Sequence, residues 1–99
     1  MDWGVMRYKL SNEAKSDLAR IYWRGVEAFG ELQAERYYEA LFQRFYDIVE
    51  APYKYQAVDY IREGYRRSVC GVDSIYYRMD GEIVEVMRVL GRQDATGSF

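Results

Sequence analysis

The chain has 99 residues, 49% hydrophobic and 30% charged, with one proline and eight glycines. That is an ordinary globular mix, which excludes a disordered, fibrous or low-complexity protein. A formal charge of −2 excludes binding a polyanion through the overall field, so any nucleic-acid contact needs a local patch.

The first expected element is a strand over residues 5–10, where Met6, Tyr8 and Leu10 alternate with Val5, Arg7 and Lys9. Ser11 and Asn12 offer capping oxygens, and Glu13 sits where a helix dipole favours an acid. Ala14, Leu18, Ile21, Tyr22, Gly25 and Phe29 recur at helical spacing and predict a helix over 13–29, stopped by Gly30. Ala34, Tyr38, Leu41, Phe42, Phe45, Ile48 and Val49 predict a second helix, ended by Pro52. So short a turn folds the two helices back as a hairpin.

Residues 53–64 show no clean period and are expected to form a loop, partly tucked down. Strands are expected over 65–70, 72–79 and 82–90. Asp80-Gly81 is the strongest hairpin signal in the chain. Residues 91–99 read as a short polar tail. The expected fold is one α+β domain over 1–99: an N-terminal strand and a two-helix hairpin packed on a mainly antiparallel sheet. The hairpin should cover one sheet face and leave the other to solvent or a partner.

Absent histidine removes the commonest general base, every His-dependent triad and the usual zinc ligand. Neither a metal nor a cofactor is expected. A single cysteine, Cys70, cannot form an internal disulfide and fits a reducing cytoplasm. It reads as a small buried hydrophobe rather than a reactive thiol. No stretch approaches the roughly 18 apolar residues of a membrane span, and no signal peptide is expected. Seventeen aromatics, eleven of them tyrosine, make a protein partner worth considering. Of Tyr76 and Tyr77, on opposite strand faces, one should be core, and the other is a candidate interface anchor. Tyr37 and Tyr38 divide the second helix in the same way, and Trp3 and Trp23 are either core lids or partner contacts. Glu13 and Asp17 share a helix face, where a solvated or capping role outweighs a metal site.

Residues 31–52 carry five acids against Arg36 and Arg44. The sheet region balances its acids with Arg66, Arg67, Arg78, Arg88 and Arg92 and contains no lysine. Arginine suits bidentate recognition and stacking, so these five are the candidate target-binding residues. Taken singly, each is as well explained by a surface ion pair.

Three segments resemble one family. Arg62-Glu63-Gly64-Tyr65-Arg66-Arg67, Ser74-Ile75-Tyr76-Tyr77-Arg78 and the run from Glu85 through Leu90 to Asp94 are similar to the C-terminal half of ParE-type toxins, in the ParE/RelE superfamily. Tyr8-Lys9-Leu10-Ser11 with Ala14, Lys15, Asp17, Leu18 and Ile21 resembles that family's opening strand and helix. The resemblance implies the same two-helix-on-sheet fold and a toxin neutralised by a cognate antitoxin, with a higher-order toxin–antitoxin complex possible. It leaves two activities open: inhibition of DNA gyrase in the ParE branch, and ribosome-dependent mRNA cleavage in the RelE branch. A nuclease needs an acid, a base and phosphate-stabilising cations, and must dock on an anionic ribosome. This weakly acidic chain has Val72-Asp73-Ser74 and Leu90-Gly91 where that branch often has basic, His or Tyr residues. The expectation is a cytoplasmic gyrase-binding toxin, not an enzyme, without specific nucleic-acid binding of its own. The mRNA endonuclease is the alternative, and a toxin fold that has lost its activity is the third reading.

Overall fold

The computed structural model describes residues 8–91 and Phe99. Its elements run β1 (Tyr8–Leu10), α1 (Asn12–Phe29), α2 (Glu31–Glu50), β2 (Gln56–Ala57), β3 (Arg66–Cys70), β4 (Asp73–Asp80) and β5 (Ile83–Gly91). They build one five-stranded sheet in the order β1-β5-β4-β3-β2, parallel at β1–β5 and antiparallel elsewhere. Residues 5–7 of the expected first strand lie outside the described residues.

Ser11 joins the strand to the helix. Its Oγ accepts the Ala14 N–H at 3.0 Å as the α1 cap and donates to the Met87 carbonyl at 2.7 Å. The helices turn on Gly30 alone, whose φ of +89° suits a residue without Cβ. They cross closely where Gly25 faces Ala34, since a Cβ on Gly25 would stand 3.2 Å from the Ala34 Cβ. Ala14, Leu18, Ile21, Leu41, Phe45 and Ile48 then pack on Ile75, Tyr77, Val84, Val86 and Val89 to form the main core.

Four expectations need correction. The meander has gained β2, a two-residue edge strand pairing Gln56 with Arg67 and Ala57 with Arg66. Both its residues are exposed, so no burial pattern marked it. The second sheet face is not simply open. Val58 and Tyr65 with Ile61 pack on Tyr76 and Leu90 there, so residues 58–65 cover part of it. Phe99 joins this cluster, its ring 4.9 Å from Tyr76 and 5.7 Å from Tyr65, so the tail is not wholly polar in role. Tyr76 and Tyr77 are 1% and 0% exposed, so neither is a surface anchor. A register shift between them accompanies the burial of one on each face.

Helix side chains finish the sheet where its outer strands stop. Among the described residues β1 pairs with residues 84–86. Beyond it, the Val89 N–H donates to Asp17 Oδ2 at 2.9 Å and the Val89 carbonyl accepts from Arg20. On the other side β2 ends opposite Arg66 and Arg67, and Arg44 of α2 donates to the Val69 carbonyl at 2.6 Å and to Ser68 Oγ at 2.8 Å. These contacts supply hydrogen bonds that a neighbouring strand would otherwise provide.

Candidate functional site

The β3–β5 meander distributes the candidate arginines. Arg66 donates to the Tyr55 carbonyl at 2.7 Å and the Tyr53 carbonyl at 3.3 Å, and its guanidinium lies 5.1 Å from the Tyr53 ring centre. It therefore ties the chain after Pro52 to the sheet. Arg78 bonds Glu85 Oε1 across the β4–β5 pair, Nη2 at 2.8 Å and Nε at 2.9 Å. Arg66 and Arg78 share a cavity of about 300 Å³ with Tyr53, Asp59, Tyr65 and Tyr77. Of the five candidates, this pair lines one concave site. Burial pushes the Tyr77 hydroxyl up to about 12, so it stays protonated, and it donates to the Pro52 carbonyl.

Arg67 and Arg88 lie elsewhere, flanking Tyr76 in the cross-strand register. Arg67 donates to Gln56 Oε1 at 3.1 Å. Arg88 makes a side-on pair with Asp17, Nε to Oδ2 at 2.8 Å and Nη2 to Oδ1 at 3.0 Å. Asp17 is thus neither solvated nor a helix cap, because its side chain points at the β5 edge and is 4% exposed. Burial alone would raise its pKa. Hydrogen bonds from Arg88, the Val89 N–H and Arg20 outweigh that and hold the carboxyl below its usual range. Arg92 lies outside the described residues, as does Trp3.

Asp73, which stands where the nuclease branch often has a basic residue, is a structural group. Its buried side chain accepts from Arg24 at 3.1 Å and from the Tyr37 hydroxyl at 2.7 Å. Burial, then Asp73, pushes the Tyr37 hydroxyl well above its ordinary value. Gly71, with φ of +62°, lets that ring approach, since a Cβ there would stand 2.5 Å from Tyr37 Cε1. Tyr38 is half-buried against Tyr22 and Phe42, and Trp23 is 61% exposed, so it is no core lid. Cys70 is buried, which pushes its thiol up and away from nucleophilic use. Among the described residues no cluster of His, Cys, Asp or Glu could hold a metal ion, and no helix is long and apolar enough to cross a membrane.

A two-helix hairpin packed on a mainly antiparallel five-stranded sheet defines an α+β class of small protein, and the sequence comparisons narrow it. The family model described as "ParE toxin of type II toxin-antitoxin system, parDE" matches residues 8–96. Toxin ParE1 of Caulobacter vibrioides is 37% identical over 83 residues, covering 84% of this chain and 85% of that relative. Toxin ParE1 of Mycobacterium tuberculosis strain H37Rv is 35% identical over 85 residues, covering 85% and 87%. A solved structure described as "Chromosomal ParDE TA system from P. aeruginosa" superposes with a TM-score of 0.77 at 18% identity, covering 88% of this chain and 96% of that one, a likeness of fold. The chain belongs to the ParE toxin family of type II toxin–antitoxin systems.

Proposed function

We propose that this toxin acts by binding DNA gyrase rather than by chemistry of its own, and that a cognate antitoxin neutralises it. The observation that carries the reading is how the arginines are used. Arg66, Arg78 and Arg88 turn donors to carbonyls and carboxylates of the chain itself. A ribonuclease would aim such cations at a phosphorane, between an acid and a base. Arginines held in fixed directions suit shape recognition of a protein surface instead. The family's place in toxin–antitoxin pairs supports an antitoxin partner.

One observation favours the second reading, a ribosome-dependent mRNA endonuclease. Arg66 and Arg78 share their cavity with tyrosines, a setting in which a phosphodiester and a stacked base could sit. The test uses purified protein in two assays. Loss of gyrase supercoiling with accumulation of cleaved DNA is the expected result. Codon-periodic cleavage of message in a translating extract, with gyrase untouched, would establish the second reading and sink the first.

A further inference from the structure

Gln56, Arg67, Tyr76 and Arg88 stand in one cross-strand row. Gln56 pairs with Arg67, Arg67 with Tyr76, and Tyr76 with Arg88. The two arginines of the row fill the same guanidinium edge, Nε with Nη2, in different ways. Arg88 gives both nitrogens to the two oxygens of Asp17. Arg67 gives Nη2 to the neutral amide oxygen of Gln56, while its Nε is buried with no hydrogen-bond partner. A buried donor without a partner is costly, and a neutral amide is a weaker acceptor for a guanidinium than a carboxylate is.

We propose that Arg67 is a carboxylate receptor, which takes an aspartate or glutamate side chain of a protein partner side-on after Gln56 moves aside. This rests on the target-binding reading above only in taking the partner to be a protein. Three features suit the role. A side-chain hydrogen bond with Tyr76, then Tyr60, favours the charged guanidinium, and Nε is the donor left over. Tyr76 is 1% exposed, so it gives the guanidinium a firm backing. Gln56 and Tyr60 are exposed, so the side chains beside the edge can swing into water at small cost.

The overall charge does not draw a polyanion to this edge. Residues 58–65 carry Asp59 and Glu63 against Arg62, and the whole chain is at −2. A polyanion gains little from so small and mixed a set of charges. One carboxylate needs only the two donors, with the geometry that Asp17 already shows on Arg88. The sequence alone named Arg67 without its direction, because Gln56 became its neighbour only through the unforeseen β2.

The experiment follows the arginine Nε–H signals of ¹⁵N-labelled protein by NMR, with Arg67→Lys used to assign Arg67. Acetate is the probe and chloride at equal ionic strength the control. Inorganic phosphate and a short DNA duplex are the competing anions. The Arg67 signal should move saturably with acetate while the Arg88 signal, whose edge Asp17 fills, stays in place. In Gln56→Ala, an exposed site, acetate should bind about two- to tenfold more tightly, the effect of freeing one hydrogen bond. Gyrase and growth enter none of these readouts, so the gyrase reading can fail without moving them. If Arg67 responds to acetate no more than to chloride in both proteins, or responds to phosphate or duplex at lower concentration, the carboxylate assignment is overturned.

Discussion

Replacing Asp17 by Asn removes a buried charge and leaves its shape. In the native protein the carboxylate receives two donors from Arg88, one from Arg20 at 3.2 Å and the Val89 N–H at 2.9 Å. Asn can still accept from Val89, but its amide nitrogen then faces a guanidinium. Breaking a buried pair by removing one partner costs about 3–5 kcal/mol. Here the Arg88 side chain is 25% exposed and that of Arg20 43%, so water recovers part of the loss. The expected cost is about 2–4 kcal/mol, against a total stability of about 5–15 kcal/mol for such a domain. At about 4–8 °C per kcal/mol for this chain length, the melting temperature should fall by about 10–25 °C. Thermal unfolding followed by circular dichroism reads this directly. The same carboxyl sets an acid dependence. Its folded pKa lies below the unfolded value, so its contribution is complete above about pH 4 and is lost as pH falls through the folded pKa. The wild type should therefore lose more melting temperature than Asp17→Asn between about pH 5 and pH 2. A variant that loses less than about 0.5 kcal/mol, the level of an ordinary surface change, would refute the structural role of this network.

Gly71→Ala forces a Cβ into the Tyr37 ring at positive φ and should cost about 2–3 kcal/mol of stability, read as a lower urea midpoint; an unchanged midpoint would show that Tyr37 moves aside freely. Arg92→Ala should melt within about 0.5 kcal/mol of the parent and weaken growth arrest, and full toxicity would take Arg92 out of the target surface. A chain stopped after Gln93 also loses Phe99, whose edge-on ring contacts predict a further loss of about 1 kcal/mol; Phe99→Ala alone should reproduce it by thermal melting. Saturating antitoxin should bury well over about 1,000 Å² and raise the melting temperature, and a titration that leaves it unchanged would remove the antitoxin as a native-state ligand.

The helices were legible because Leu18, Ile21, Leu41, Phe45 and Ile48 obey one period and are all buried. The hairpins were legible from Gly71 and Gly81, both at positive φ. The tucking down of residues 53–64 was legible, and Val58 and Ile61 pack as expected; the sheet face they meet was not. Val58 is fully buried although its neighbours 57 and 59 are exposed, because the sheet face it meets is assembled from strands later in the chain. Asp17 hid for a related reason. It sits beside Leu18 on the stripe with Ala14 and Ile21, and a carboxylate there reads as a solvated flank until the β5 edge is known. Its one local clue is Arg20, three residues on. The arginines were legible as a set by type. Their directions depended on partners in the loop and on α1, so Arg66 and Arg78 fell together while Arg67 and Arg88 faced another surface.

Arg20 and Arg44 have a consequence for how copies of this chain treat one another. A sheet flank with unpaired carbonyls recruits further strands, and exposed edges are where aggregation starts. The Val89 and Val69 carbonyls are each occupied by a charged side chain from a helix. The described outer strand on the β3 side, β2, is two residues long and offers little template. A strand pairing with β5 past the end of β1, or with β3 past the end of β2, meets an arginine already bonded to the carbonyl it would use. Two guanidinium groups that resemble a display of positive charge are thus spent on backbone carbonyls, where they stand in for the strand that β5 and β3 lack at those positions.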